Sequence, residues 1–432
     1  MKLPFRLCLA ILTVAVLAAA VVPSWGFYTP WAVAGALAAL AVALAASTLP
    51  DWSLEAPAGW RRSVSPAVLV AALALALSGQ GMLFAELNSE PLVPQAIWVM
   101  EAAAIFGFLA TASLVPHAFS TSVRWRPWLA LQIAVLFLTG AAVRISAIVA
   151  MPNPRIDLYD ALQEAPEHLL MGQNPYSATY TWPYPHPKAD YDRAPFYPPL
   201  PILIGVPFRA AGLDVRFANA MCDILAAFVL LAAGWSRGQT VIGAMAAAAF
   251  LHFPRVPFMM AQAWYEPMLA AALGGGLLLV ERGQRFGFFL LGLGLTGKQY
   301  GVSLLLPLLK TLGRCMGWLI LGIGLAAALV IGPFFLWDPP SFLDVVIVKH
   351  LERPVRHESI SLHAVLEQSL GYPVPRYLVL GLAGVLVAAI TLRSPRRTIT
   401  AAFWMGAALL TFCLFHSQGF LTTFIFASIF FF

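Results

Sequence analysis

The sequence predicts an all-α integral membrane protein, a polytopic bundle of about 12–14 transmembrane helices with short juxtamembrane helices on its outer loops. Three observations predict this class. Hydrophobic residues make up 60% of the 432 positions and charged residues only 11%, about half the charge of a soluble domain. Apolar runs of spanning length follow one another along the chain. The cations lie at the ends of these runs, as membrane orientation requires.

The apolar runs lie near residues 6–23, 31–49, 66–86, 95–115, 127–151, 216–236, 239–253, 263–281, 286–310, 315–337, 376–392 and 398–432. Since a span needs roughly 20 mostly apolar residues, most of these runs are long enough to cross. The first run follows Lys2 and Arg6, as in a signal peptide, but no clear small-x-small cleavage site ends it. We interpret it as an uncleaved first helix.

Composition and motifs exclude several classes of protein. The net charge of +6 does not indicate a nucleic-acid partner, because the cations form no basic stripe with interleaved aromatic residues. The four cysteines are scattered through apolar runs without CxxC spacing, which predicts neither a disulfide nor a zinc site. No Walker loop, GxSxG or HExxH motif occurs, and no metal-ligand cluster is evident, so we expect neither a metal nor a cofactor.

Basic residues in alternate loops predict the orientation of the chain. The cytoplasmic loops carry Lys2 and Arg6, Arg61 and Arg62, and Arg124 and Arg126. Five crossings therefore deliver the loop starting at Pro152 to the outside, and the two polar outer loops are predicted over 152–197 and 338–375.

The later basic residues stay inside only under two conditions. The stretch 198–212 must lie along the outer surface instead of crossing. The run 286–310 must be two short helices that meet near Gly297-Lys298-Gln299, which places Lys298 in a polar cavity. The alternative is one long helix whose Lys298 snorkels or pairs locally.

The segment after Met151 predicts a short amphipathic helix on the membrane surface. Its apolar residues recur at helical spacing: Leu158, Ala161, Leu162, Ala165 and Leu169. Gly172 caps its end, and Pro175 prevents its continuation. Asp157 and Asp160 share one face at its start, where partial desolvation and a neighbouring carboxylate raise a pKa toward that of a general base. The alternative is that Asp157 is an N-terminal cap beside a dipole-favoured acid.

The first outer loop mixes aromatic with polar residues, and its aromatic members are Tyr176, Tyr180, Trp182, Tyr184, Tyr191 and Tyr197. Aromatic residues anchor many membrane proteins at the interface. The same mixture suits a sugar, whose ring faces stack while its hydroxyls need donors and acceptors. Both interpretations stay open. Candidate sugar- or acceptor-binding residues are Tyr176 and Tyr197, with Gln262 and Glu266 at the outer end of a later helix.

Several motifs follow one another in a recognisable order. They are Asp157, Gly172-Gln173-Asn174-Pro175-Tyr176, Tyr197-Pro198-Pro199-Leu200, Arg216, Gly297-Lys298-Gln299, and the segment from His350 to Ser361. This order resembles the polyprenol-phosphate-sugar-dependent glycosyltransferases of the GT-C fold, most closely the family 87 mannosyltransferase-like branch. The resemblance begins near residue 140, which predicts an extension of four helices over 1–126 before a core over 127–432.

The resemblance implies a membrane enzyme that transfers a sugar, mannose or a pentose, from a polyprenyl-phosphate donor. The acceptor is a lipid or glycan on the outer face of the plasma (inner) membrane, and transfer proceeds with inversion and without a metal. Asp157 takes the place of the general base, with Asp160 as the second candidate. The departing phosphate requires fixed cations. The candidates are Lys298, Arg353, Arg356 and His357, with Arg155 in reserve. The alternative for residues 350–358 is a solvated charge run that meets lipid headgroups.

Two other functions remain. A transporter or lipid flippase without chemistry explains Lys298 and the buried Arg144, which must pair or face a polar interior, but no inverted repeat is visible. Arg144 then either supports Asp157 or only locks two helices together. A glycan ligase or polymerase with a diphosphate-linked donor would share the outer site and its cations.

Overall fold

The computed structural model is all-helical over the residues that it describes, which confirms the predicted all-α class. These residues are 29–48, 93–118, 126–154, 156–180, 197–253, 256–352, 355–357, 359–393 and 401–415, together with isolated positions before residue 18.

The helices of the first part precede and follow the long loop after Met151. In chain order they are α1 (Pro30–Thr48), α2 (Pro94–Ala118), α3 (Arg126–Ala150), α4 (Asp157–Leu170), α5 (Leu200–Ala210), α6 (Arg216–Ser236), α7 (Thr240–Leu251), α8 (Val256–Ala261) and α9 (Glu266–Glu281).

The second part contains shorter and more interrupted helices. They are α10 (Phe286–Thr296), α11 (Gly301–Thr311), α12 (Met316–Ala326), α13 (Gly332–Trp337), α14 (Pro339–Leu343), α15 (Lys349–Glu352), α16 (Leu362–Leu370), α17 (Arg376–Arg393) and α18 (Ala401–Phe415). Two π-helical turns, Ala327–Ile331 and Asp344–Val348, join α12 to α13 and α14 to α15.

Five described segments are long and apolar enough to cross a membrane: Pro94–Leu114, Pro127–Ala150, Arg216–Ser236, Gly313–Trp337 and Arg376–Arg393. Large apolar side chains such as Trp98, Leu138 and Leu329 are more than half exposed on the outer faces of these helices. A soluble protein rarely exposes so much apolar surface. These helices therefore indicate a membrane protein, as the composition predicted.

The bundle has two chemically different ends. We call the end where α3 finishes and α6 begins the loop end, because the 151–215 connection lies there. Arg216, which opens α6, donates hydrogen bonds to the carbonyl oxygens of Met151 (2.7 Å) and Ala261 (3.2 Å). At the opposite end, which we call the far end, Arg237 after α6 forms an ion pair with Glu281 at the end of α9.

The predicted helix break is confirmed, because α10 ends at Thr296 and α11 begins at Gly301. The turn between them is tight: a Cβ on Gly301 would lie 2.0 Å from the carbonyl oxygen of Leu295. Only glycine fits such a close approach of two backbone segments. A break near 252–255, which divides α7 from α8, was not foreseen in the sequence.

The stretch 198–212 forms α5, whose 11 residues reach roughly 16 Å at 1.5 Å per residue, too short for a hydrocarbon core of about 30 Å. That it lies along or dips into the outer surface stays a prediction. It packs against α4 at the loop end, where Arg209 forms an ion pair with Glu167.

Arg144, deep in α3, forms an ion pair with Asp223, which is the kind of partner that the sequence predicted it must have. Its Nε lies 2.5 Å from Oδ2 of Asp223 on α6, and its Nη1 donates to the carbonyl oxygens of Gly140 (2.8 Å) and Leu251 (2.9 Å). Arg144 therefore joins α3 to α6 and satisfies the carbonyl at the end of α7. It locks helices together and makes no described contact with Asp157.

Candidate functional site at the loop end

The amphipathic helix predicted after Met151 is α4, with bounds Asp157–Leu170. Its buried face consists of Tyr159, Ala161, Leu162, Ala165 and Pro166. Gly172 follows with a φ of +74°, the left-handed conformation expected of a helix C-terminal glycine. The helix thus lies on the bundle with its two aspartates in the first turn, as predicted.

The two aspartates differ in their surroundings. Asp157 is the first helical residue, and its Oδ1 accepts a hydrogen bond from the Leu158 N–H (2.9 Å). The N-cap is Ile156, so Asp157 is one position inside the helix, where its carboxylate accepts a first-turn N–H and is favoured by the helix dipole. The structural role predicted as the alternative for Asp157 therefore stays open. Partial burial, then the negative charges of Glu164 and Asp157, raise the pKa of Asp160 to about 7. The sequence predicted a raised carboxyl pKa here, and the structure gives it to Asp160.

A polar hub anchors the start of α4 to the start of α6. The Tyr159 hydroxyl donates to Oδ2 of Asp214 (3.1 Å), and that carboxylate accepts from Nη2 of Arg216 (2.6 Å). The Arg216 guanidinium also lies 4.7 Å from the centre of the Tyr159 ring. Gln163 completes the hub by donating to the Tyr159 hydroxyl (2.8 Å). These bonds fix the position from which the first turn of α4 presents its acids.

Lys298, in the break between α10 and α11, forms an ion pair with Glu266 at the start of α9, with Nζ 2.5 Å from Oε1. Three tyrosine rings surround this ammonium: its Nζ lies 5.2 Å from the ring centre of Tyr197, 4.8 Å from that of Tyr265 and 5.1 Å from that of Tyr300. Rings at these distances stabilise a cation through their quadrupoles. The break therefore holds a charged, partly accessible lysine, as predicted, and excludes the single long helix.

The remaining predicted sugar-binding residues have unequal positions. Tyr197 is partly buried beside Lys298 and packs edge-on against Tyr265. Tyr176 is almost fully buried, its ring contacts Phe334 and Phe342, and its hydroxyl donates to the Tyr197 carbonyl (2.8 Å). These contacts leave the Tyr176 hydroxyl no proton for a ligand, so its role is to position Tyr197.

Gln262 and Glu266 lie on the turn that leads from α8 to α9. Gln262 is buried, and its amide approaches the sulfur of Met151 at 3.5 Å. Between them Ala263 adopts a φ of +59°, which is rare for a residue with a side chain and marks a turn held by its surroundings. This turn brings Glu266 to Lys298 and gives Gln262 a position near the end of α3.

Only some of the cationic segment after α15 belongs to this site. Nε2 of Gln299 donates to the Val346 carbonyl (3.1 Å), which ties the α10–α11 break to the π turn before α15. Arg356 and His357 follow and are exposed, with His357 Nε2 3.9 Å from a Glu367 oxygen. Arg353 and Arg155 lie outside the described residues. Among the described candidates for phosphate binding, Lys298 alone lies inside the aromatic cluster.

Sequence reasoning missed two members of the site, Tyr265 and Tyr300. Both stand next to residues that it selected or close to them, since Tyr265 precedes Glu266 and Tyr300 follows Lys298 by two positions. A search for aromatic residues flanking each selected charge would have found them. It also missed Asp214, two positions before Arg216, and Asp223, about two turns after Arg216 on α6.

No group of three or more His, Cys, Asp or Glu residues that could hold a metal ion occurs within the described part of the chain. Comparison with protein-family models, with curated protein sequences and with solved structures finds no match for this chain. Function must therefore be argued from the chemistry of the loop end.

Proposed function

We propose that the protein is a membrane glycosyltransferase that moves a sugar from a polyprenyl-phosphate donor to a lipid or glycan acceptor at the loop end of the bundle. One observation carries the proposal: an acidic surface helix, α4, and a lysine ringed by tyrosines at a helix break lie at the same end of the bundle. A donor with an apolar tail and an anionic head needs both a membrane-embedded bundle and such a cation.

The two halves of the site have complementary roles in this chemistry. A carboxylate on α4, Asp157 or Asp160, removes the proton from the acceptor hydroxyl as the sugar leaves the phosphate. Lys298 stabilises the negative charge that the departing phosphate gains, in a site where neighbouring rings exclude water. Tyr197, at the edge of the tyrosine cluster, offers an aromatic face to the sugar ring.

The distribution of charge supports an outer location for the loop end. The far end carries six described cations at helix ends, Arg237, Arg282, Arg285, Lys310, Arg314 and Arg393, whereas Arg216, Lys349 and Arg376 open helices at the loop end. By the positive-inside rule, this end faces the cytoplasm. The loop end then faces the outside of the plasma membrane, where lipid-linked sugars are available to an outward-facing enzyme.

A transporter is the second candidate, and two observations favour it. The α7–α8 and α10–α11 pairs are both broken helices, and buried ion pairs lie beside each break. Broken helices near charged groups are typical of binding sites in transporters. What a transporter leaves without a role is the acidic first turn of α4.

The test is sugar transfer by the purified chain in liposomes from labelled polyprenyl-phosphate sugars, compared with Asp157→Asn and Asp160→Asn variants. We expect Asp157→Asn to lower transfer by roughly 10²- to 10⁴-fold, the usual contribution of a general base. Asp160→Asn should lower it less and flatten the pH dependence of transfer near pH 7. Undiminished transfer by both variants refutes the mechanism, and substrate movement without transfer supports the transporter.

A further inference from the structure

The ion pair of Lys298 and Glu266 is unequal in its exposure. The Glu266 side chain is 2% exposed, whereas the Lys298 side chain retains 14%. An ammonium carries three N–H donors, and among the described residues its only hydrogen-bond acceptor is the Glu266 carboxylate. The three tyrosine rings stabilise the charge without replacing a full hydrogen bond. The cation is thus held in place with donor capacity to spare.

Tyr265 supplies a second, independent observation. Its side chain is completely buried against the Lys298 ammonium, yet its hydroxyl has no hydrogen-bond partner among the described residues. Buried hydroxyl groups are nearly always hydrogen-bonded, since an unmet donor costs about 1–3 kcal/mol. The ring that carries this unpartnered O–H donor faces the ammonium, with its centre 4.8 Å from Nζ.

Glu266 is the described group with which any new anion at Lys298 must compete. It also borders a small, mostly apolar cavity between α6, α7, α8 and α9, together with Asp223, Phe250 and Trp264. This cavity holds no more than about one water molecule. An anion that takes the ammonium therefore leaves the Glu266 carboxylate buried without its cation, and this cost lowers the affinity for the anion.

We propose that Lys298 and the Tyr265 hydroxyl form the binding site for the phosphate of a prenyl phosphate, and that Glu266 is an exchangeable counter-ion that this phosphate displaces. The inference rests on the proposed function and deepens it, by assigning the donor's phosphate to two named groups and a competing role to Glu266. The phosphate takes the ammonium from the carboxylate and accepts a hydrogen bond from Tyr265. No covalent bond changes in this exchange.

The proposed exchange predicts the direction in which one substitution, Glu266→Gln, changes the affinity for an anion. If Glu266 only braced Lys298, then Glu266→Gln would loosen the lysine and weaken the binding of an anion. If Glu266 competes with the phosphate, the same variant removes the competitor and strengthens binding. The glutamine keeps the size of the side chain and can still accept a hydrogen bond from Lys298. The direction of the change therefore separates a brace from a counter-ion.

The experiment measures the binding of farnesyl phosphate to the purified full chain in detergent by isothermal titration calorimetry. We expect Lys298→Gln to weaken binding at least tenfold, and Tyr265→Phe to weaken it roughly 10- to 100-fold, as loss of one hydrogen bond to a charged group requires. Glu266→Gln should strengthen binding several-fold. Tyr180→Phe is the matched control, because that buried hydroxyl donates to the Pro175 carbonyl and should leave binding unchanged.

Farnesol and inorganic phosphate separate the possible ligands. Farnesol should not compete, and inorganic phosphate should bind at least tenfold more weakly than farnesyl phosphate; equal binding of the two phosphates overturns the assignment to a lipid. Weaker binding by Glu266→Gln, or unchanged binding by Tyr265→Phe, overturns the exchange. Should Glu266→Gln not fold, Glu266→Asp, which withdraws the carboxylate from Nζ, must likewise strengthen binding. Binding without transfer would reject the glycosyltransferase and leave this site standing.

Discussion

Two ion pairs among the described residues, Arg144 with Asp223 and Lys298 with Glu266, are equally close at 2.5 Å but differ in what surrounds them. Arg144 is fully buried, and its guanidinium also donates to two carbonyl oxygens. Lys298 meets one carboxylate and three aromatic faces, and part of its side chain is exposed.

This difference separates a structural pair from an exchangeable one. Oxygen atoms from three helices accept from Nε and Nη1 of Arg144, and its Nη2 lies in the ion pair with Asp223, so a new partner would have to break existing hydrogen bonds. The three tyrosine rings stabilise the Lys298 ammonium without occupying its N–H donors as hydrogen-bond acceptors would. Burying a charged side chain costs free energy. A buried cation that keeps unused hydrogen-bond donors therefore indicates a ligand-binding site more than a contact that only holds helices together.

The largest expected effect comes from removing Asp223. Asp223→Ala leaves Arg144 charged and buried, since a guanidinium does not lose its proton in a protein. We expect the free energy of unfolding to fall by about 3–5 kcal/mol, the usual cost of an uncompensated buried charge. Thermal unfolding of the purified protein in detergent micelles, with the yield of monodisperse protein, measures it.

The double variant Arg144→Met with Asp223→Leu is the control for this prediction. It removes both charges and fills the same space with apolar atoms, so most of the lost stability should return. If the double variant is as unstable as Asp223→Ala, the pair does more than balance two charges. A stable Asp223→Ala protein would contradict the assignment of Arg144 as the fastening between α3 and α6.

Lys298→Met should cost somewhat less stability, about 3 kcal/mol at pH 7. Without Lys298, the buried Glu266 carboxylate can become neutral by binding a proton, whereas Arg144 stays charged when Asp223 is removed. Sugar transfer should nevertheless be lost, because the departing phosphate has no cation to receive it. Unfolding temperature and transfer measured on the same preparation test both halves. A loss of stability as large as that of Asp223→Ala would make the two pairs equivalent.

The smallest expected effect is a pH-dependent gain at Asp160. Because its pKa is raised to about 7 in the folded protein, the folded state binds this proton more tightly than the unfolded state. The carboxyl therefore costs no stability at pH 4, and its cost grows as the pH rises to about 7. Asp160→Asn should raise the unfolding temperature by a few degrees at pH 8 and leave it unchanged at pH 4. Glu164→Gln, one turn away, is the control and should produce a weaker change of the same sign.

Local patterns predicted the parts of the site that lie within one element. The spacing of Leu158, Leu162 and Leu169 predicted α4, because a helix that buries one face repeats its apolar residues every three or four positions. The placement of Arg282 and Lys310 on one side predicted the break at Lys298, since two cations at the same end require an even number of crossings. The burial of Tyr176 was not predicted, because its sequence position near polar residues does not reveal that Phe334 and Phe342 enclose it.

The sequence by itself determined that the chain enters a membrane, where α4 lies and where the α10–α11 break falls, because each depends on the solvent preference of neighbouring residues. The tertiary structure decided which carboxylate each buried cation meets. Arg144 and Asp223 are 79 positions apart, and Lys298 and Glu266 are 32 apart. Such partners become neighbours only when helices pack. The packing contacts are distributed over the whole bundle, so no single segment of the sequence reveals them.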